Sequence, residues 1–440
     1  MSQTLHTRRH FIKTSFLGGA AAWTIPAFLE RTFFALDAIA AEAVLPTPTG
    51  RDHPILVVLQ LAGGNDGLNT VIPHADDAYY RARPQLAIPA GQSLKIDDQI
   101  GLHPALTGLR GLYDAGDAAI IQGVGYPNPN RSHFRSTDIW QTATDAERVS
   151  SRGWLGRYFD ACCSGEDPGV GVAIGERDPL AFASAHPQGI TFNSPEKFRL
   201  EGDAEMVMDA IGGGADPGDS SEGASIGALA GSSTDAGDTA DFLRRVALDA
   251  QLSSHRVQEI TSRFPLAAAF PKSRLGHSLG LVARLIAGGM PTRVYYVSQG
   301  GFDTHNAQSA THERLLREFD AALAAFVAEL RAMKVLDRVL LMTFSEFGRR
   351  VAENANGGTD HGAAAPMFLV GGGIQPGLHG AAPSLTHLDR GDLIHTTDFR
   401  SVYATLLEGW LHAPADRILE KKFPRLPLLA AGVPAVRHQS

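Results

Sequence analysis

The chain between Pro54 and Leu61 reads Pro-Ile-Leu-Val-Val-Leu-Gln-Leu, a near-continuous apolar run of the kind a strand needs when both its faces are covered. It breaks at Ala62-Gly63-Gly64-Asn65-Asp66-Gly67, a turn. A helix around residues 104–115 leads into a second apolar run, Ala118 to Val124. A third run, Arg293 to Ser298, follows a helical stretch over 275–289 that Gly288, Gly289 and Pro291 bring to a stop. From about 309 to 334, Leu315, Leu316, Phe319, Leu323, Phe326 and Leu330 recur at helical spacing and feed a fourth run, Arg338 to Phe344. Pro366 to Val370 makes a short fifth strand. Strands alternating with helices predict an α/β fold with a mostly parallel central sheet flanked by helices on both faces. A further helical segment, Phe242 to Phe264, follows residues 212–238, which are rich in Gly, Ser, Ala and Asp. With hardly a large apolar side chain, residues 212–238 read as a flexible surface loop within one domain over 45–440.

The first residues do not fit that pattern. Arg8-Arg9 precedes a short apolar stretch, Phe16 to Ile25, and small residues follow at Ala38-Ile39-Ala40-Ala41. This resembles a twin-arginine signal peptide over residues 1–44, removed near those alanines. Thr24, Pro26, Glu30 and Arg31 interrupt the run before the roughly 20 apolar residues that a bilayer crossing requires, so no stable membrane insertion is expected. The expected partner in export is the twin-arginine translocase, and the expected location is periplasmic or secreted. That route carries folded proteins, often with a metal already inserted.

Composition narrows the function by exclusion. A net charge of −8 and the absence of any basic run argue against nucleic acid as a partner. The only two cysteines, Cys162 and Cys163, are sequence neighbours, closer than an ordinary disulfide requires, and read as half-buried apolar residues.

Open α/β sheets carry ligands at the carboxyl ends of their strands, and the polar residues of this chain collect there. Asp66 follows the first strand, and Arg131-Ser132-His133 the second. Asp303-Thr304-His305 follows the third and Ser345-Glu346-Phe347-Gly348-Arg349 the fourth, while Thr359-Asp360-His361-Gly362 stands just ahead of the fifth. Carboxylate and neutral imidazole are the donors zinc prefers and, with more oxygen, those of manganese, calcium or magnesium. Together these strand ends predict one shared site for a divalent metal. Asp138 and Trp140 are candidates for the pocket wall or simply for a helix face. His395 precedes an expected helix N-cap at Thr397 or Asp398 and reads as structural. His74 and His103 sit in proline-containing loops and are assigned no role.

Together, the leader, Leu59 to Gly67, Ser132-His133-Phe134, Gly301 to His305, Ser345 to Arg349 and Thr359 to Gly362 resemble the exported domain-of-unknown-function family numbered 1501. That family is related to the sulfatases and alkaline phosphatases. The resemblance covers nearly the whole mature chain and implies an alkaline-phosphatase-like fold. By position it implies that Asp66 is the first metal acid, that Ser132 falls where the nucleophile is sought, and that Asp303 with His305 forms the middle pair. Asp360 matches the next acid by its Asp-His-Gly letters, or Glu346 by strand order with His361 then the final histidine; the resemblance thus implies one or two divalent ions with Asp66, Asp303, His305, Glu346, Asp360 and His361 as candidate ligands, not divided between them. Ser132 lacks the Cys/Ser-x-Pro-x-Arg setting from which sulfatases make formylglycine, so sulfatase chemistry of the usual type is not expected. The expected function is metal-dependent hydrolysis of a small anionic ester, phosphate or sulfate. Ser132 attacks or positions water, and His133 and Arg131 orient the anion. The alternative is a non-catalytic exported protein that keeps the fold for binding or for handling other secreted proteins.

Overall fold

The computed structural model describes residues 53–163, 168–185, 189–195 and 253–430; the expected leader over 1–44 and the loop over 212–238 lie outside them. Nine strands form the main sheet: β1 (Ile55–Leu61), β2 (Ala118–Gly125), β3 (Gly171–Ile174), β4 (Ile190–Phe192), β5 (Val294–Gln299), β6 (Val339–Phe344), β7 (Ala365–Gly371), β8 (Gly377–His379) and β9 (Thr397–Asp398). Their order is β8-β2-β7-β6-β1-β5-β3-β4, with β9 also paired to β2. Every pair is parallel except those made by β7, which runs against both β2 and β6. The reason lies in the connection. Parallel neighbours need a crossover, usually a helix, whereas residues 345–364 join β6 to β7 with no helix and so return the chain alongside itself.

All seven residues of β1 are buried, and alternation sends them into two different cores. Ile55, Val57, Leu59 and Leu61 pack on one side with Leu109 of α1 (Thr107–Asp114), Leu279 of α4 (Arg274–Ala287) and Phe319 of α5 (Gln308–Ala332). Leu56 and Val58 pack on the other with Trp140 of α2 (His133–Thr142), Trp154 of α3 (Trp154–Cys162) and Tyr403 of α6 (Phe399–Gly409). The expected α/β class, with helices on both faces of a mostly parallel sheet, is therefore what forms. Among the described residues no helix is long and apolar enough to cross a membrane.

Several local expectations meet their physical reasons here. α4 begins at an N-cap, Ser273, whose side chain accepts from the Gly276 amide, and ends at Gly288. Asp398 caps α6 by accepting from the Arg400 amide, which leaves His395 in the preceding link. Cys162 and Cys163 form no disulfide and are fully buried rather than half-buried. Trp140 lies in the second core, its ring stacked between Phe344 and Phe399 with centroids 5.4 and 4.3 Å away. Truncating that ring removes the centre of the second core, so Trp140→Ala should lower unfolding stability by about 3–5 kcal/mol in a denaturant titration.

Candidate metal centre

Because β7 runs backwards, the loop ahead of it lies at the same edge as the loops that follow β1, β2, β5 and β6. Two glycines let those loops touch. Gly63, at φ +115°, is so close to the β5 loop that a Cβ would stand 2.5 Å from the Asp303 nitrogen, and a Cβ on Gly358 would stand 2.3 Å from the His305 carbonyl carbon. Ser345 fastens the β1 turn from the other side: its hydroxyl donates to the Leu61 carbonyl at 2.7 Å and accepts from the Asn65 amide at 2.8 Å.

Asp303 is the meeting point. His133 Nε2 stands 3.4 Å from its Oδ2, while His305 Nε2 and His361 Nε2 each stand 3.1 Å from its Oδ1. The three imidazoles share one arrangement. His133 Nδ1 faces Glu346 Oε1 at 2.8 Å, His361 Nδ1 faces the Arg131 carbonyl at 2.8 Å, and His305 Nδ1 faces Asp360 Oδ1 at 3.2 Å. An acceptor opposite each Nδ1 places the proton there and leaves the Nε2 lone pair pointing inward. His133 Nε2 is buried without a hydrogen-bond partner, and His305 and His361 bring their Nε2 atoms within 2.9 Å of each other. Lone pairs gathered this closely around a carboxylate repel unless a proton or a cation stands among them. Donor atoms of His133, Asp303 and His361 all lie within 4.8 Å of one another, which is the spacing a single ion needs.

The electrostatics follow from the same contacts. Burial pushes the Asp303 carboxyl up, but the guanidinium of Arg349 at 2.7 Å outweighs it and holds the group down at about 2. His133 is raised by its hydrogen bond to Glu346, and His361 is lowered by burial. Asp360 is lowered, chiefly by the hydrogen bond from Asn354.

Not every candidate from the sequence arrives at this cluster. Asp303, His305 and His361 meet, and His133, expected to orient an anion, stands with them. Glu346 and Asp360 lie one step outward, behind histidines. Asp66 is elsewhere: fully buried, it is held by Arg83 at 2.6 Å and by the amide of Gln308. Ser132 is the N-cap of α2, yet its exposed side chain makes no capping bond. Arg131 spends Nε and one terminal nitrogen on Asp392, while its carbonyl serves His361.

Residues 54–409 match the family described as a protein of unknown function, DUF1501. The chain belongs to that family. No curated protein matches it. Among solved structures, this DUF1501 protein is similar to the lipoteichoic acid synthase LtaP from Listeria monocytogenes, at 10% identity and a TM-score of 0.36 over 84% of this chain and 80% of that one. It is similar also to the phosphonate monoester hydrolase of Agrobacterium radiobacter, at 8% identity and a TM-score of 0.38 over 84% and 78%. A protein in the alkaline phosphatase superfamily from Vibrio parahaemolyticus gives 12% identity and a TM-score of 0.33 over 80% and 70%.

Three residues of the DUF1501 protein carry weight that sequence reasoning had not given them. Gln308 donates to Asp66 and accepts from Thr304 at 3.1 Å and Thr359 at 2.6 Å, so one buried amide joins three strand-end loops. Arg83 neutralises Asp66 and also donates to the carbonyls of Val351 and Arg350. Arg349 holds Asp303. Lone polar residues at irregular spacing leave no periodic trace, and only Arg349 stood inside a recognisable motif. The Asp66–Arg83 pair yields a pH prediction. Burial raises the Asp66 carboxyl, but Arg83 and the surrounding donors lower it further, so the folded value lies below the unfolded one. Its contribution is complete above the unfolded value of about 3.9 and lost as pH falls through the folded one. Asp66→Asn, which strands a buried guanidinium, should cost about 3–5 kcal/mol at neutral pH in denaturant melts. The gap to the parent protein should narrow below about pH 4.

Proposed function

We propose that this protein is an exported, metal-dependent hydrolase of phosphate or sulfate esters. The observation that carries the reading is that three histidines, each backed at Nδ1 by an acceptor, turn Nε2 toward the one carboxylate of Asp303. Asp303, His133, His305 and His361 would hold one ion, with Glu346, Asp360 and the Arg131 carbonyl behind them fixing the rings. A donor set of imidazoles with one carboxylate favours zinc over the oxygen-seeking calcium and magnesium. When bound, such an ion polarises an ester oxygen and favours ionisation of a hydroxyl or water beside it.

The chain's own groups supply the rest. Ser132, exposed at the N-terminus of α2 and next to His133 in sequence, has a hydroxyl not spent on capping and is the group we assign to attack or to hold water. Arg131 and Arg350 share one buried carboxylate, Asp392, with Arg350 Nε 3.6 Å from it. Both are guanidiniums, the planar donors suited to an oxyanion. Arg131 thus keeps the anion-orienting role read from the sequence, Arg350 joins it, and His133 moves to the metal. The family resemblance and the leader are consistent with this reading, with export by the twin-arginine route.

Protein purified after export should carry stoichiometric zinc or a similar ion by mass spectrometry of the metal. Asp303→Ala and His361→Ala should lose it, and Glu346→Gln should keep it with affinity lowered about 10- to 100-fold. Ser132→Ala should retain metal and lose turnover of aryl phosphates, phosphodiesters or sulfates. A metal-free exported protein with no hydrolysis would instead favour the fold's use in binding.

A further inference from the structure

The start of α6 borders a cavity that the proposed chemistry does not use. Its volume is about 380 Å³, and its walls come from the link carrying His395, the first turn of α6 and the chain around Phe423. Small-molecule sites have that size, from roughly 300 to 1,000 Å³. Asp398 is the one charged residue of the lining, and its charge is met: Arg400 returns Nε at 2.9 Å to one oxygen and a terminal nitrogen at 2.7 Å to the other. Arg400 gives its remaining terminal nitrogen to Asp145, which also faces Lys421 at 3.4 Å, so two cations stand against two carboxylates.

Two other polar side chains of the lining are unspent. Ser401 is only 4% exposed, yet its hydroxyl forms no hydrogen bond among the described residues, whereas Thr405, one turn on, donates its own to the Ser401 carbonyl at 2.7 Å. His395 has no hydrogen-bond partner among them either; burial pushes its imidazole below the ordinary value, so the ring is neutral and offers one donor and one acceptor. Phe423, Pro424 and Leu426 complete the wall, with the Arg400 guanidinium 4.7 Å from the Phe423 ring centroid to fix that ring. A charged ligand entering here would leave water and meet no free counter-charge. A ligand with several O–H groups and an apolar face satisfies both the stranded polar groups and the wall. We propose that this cavity binds one neutral sugar ring, its hydroxyls on Ser401, His395 and the lone pair that Arg400 leaves open on Asp398, its C–H face against Phe423. The proposal does not depend on a metal at the Asp303 cluster.

Titrating the purified protein, isotope-labelled at histidine, with glucose, galactose, mannose and N-acetylglucosamine tests this by magnetic resonance of the imidazoles. At least one of the four should shift the His395 signal saturably, that signal being assigned by its loss in His395→Gln. Ser401→Ala removes only a hydroxyl and suits a helix, so folding is spared; it should weaken that sugar roughly 3- to 10-fold, the worth of one hydrogen bond. Phe423→Ala should weaken it further. Glucosamine and glucose 6-phosphate should bind no more tightly than glucose. A His395 signal that none of the four sugars moves would overturn the inference. So would a shift whose affinity survives both Ser401→Ala and Phe423→Ala unchanged, or tighter binding of either charged analogue.

Discussion

Arg349 is a fully buried cation that meets loops from three separate strands. Its Nε donates to the Gly64 carbonyl, one terminal nitrogen to the Thr359 carbonyl, and the other to the carbonyls of Gly63 and Phe302 and to Asp303. Burying a guanidinium is costly unless every donor is met, and here nearly all are met by backbone. The cost of that charge therefore becomes a constraint on geometry: the turn after β1, the loop after β5 and the loop ahead of β7 must each present a carbonyl at a fixed place. Lysine, a single point of charge without the planar fork, could not span the same set.

That constraint explains why Asp303 is ionised so firmly and yet positioned so closely. A carboxylate surrounded by imidazole lone pairs would ordinarily swing away or take up a proton. Arg349 prevents both, by neutralising part of its charge and by pinning the loop on which it stands. The reversed direction of β7 is the second half of the same arrangement. Had residues 345–364 contained a crossover helix, His361 would have approached from the opposite edge of the sheet, and its Nε2 would have had no carboxylate to face.

The sheet and the helices were legible because burial on two faces writes itself as continuous apolar runs and 3.6-residue spacing. The boundaries of α4 and α5 moved by only a residue or two from those expected. The strand-end loops were legible as places, since each carries glycine beside a charged or hydroxyl group, and Asp303, His305 and His361 do converge. Division of roles was not legible. Asp66 has the letters of a ligand, but whether a buried aspartate faces a metal or an arginine depends on Arg83, 17 residues away at the C-cap of the short helix Asp77–Ala82. His133 looked like a residue for the anion because it neighbours Ser132, and only the position of Glu346 across the sheet edge gives its ring a direction. Hydrogen-bond partners distant in sequence decide such cases, and periodicity carries no record of them.

The polar groups around the Asp303 cluster form two layers. Asp303, Asp360 and the three imidazoles reach solvent, and Glu346, Arg349, Gln308, Asp66, Arg83 and His312 are buried behind them. The inner layer fixes the outer: Gln308 ties Thr304 and Thr359, which stand beside Asp303 and Asp360, while Arg83 fixes Asp66 and thereby Gln308. His312, lowered to about 4 by burial, stays neutral in this interior and can hydrogen-bond Asn65 without adding charge. A fold that only displayed an exposed surface would have little reason to sustain so many desolvated charges. An arrangement that must hold three ring nitrogens within a fraction of an ångström around one carboxylate has that reason, because a ligand misplaced by so little loses the ion. The depth of the network is thus itself an argument that the cluster at its mouth is a site for a cation.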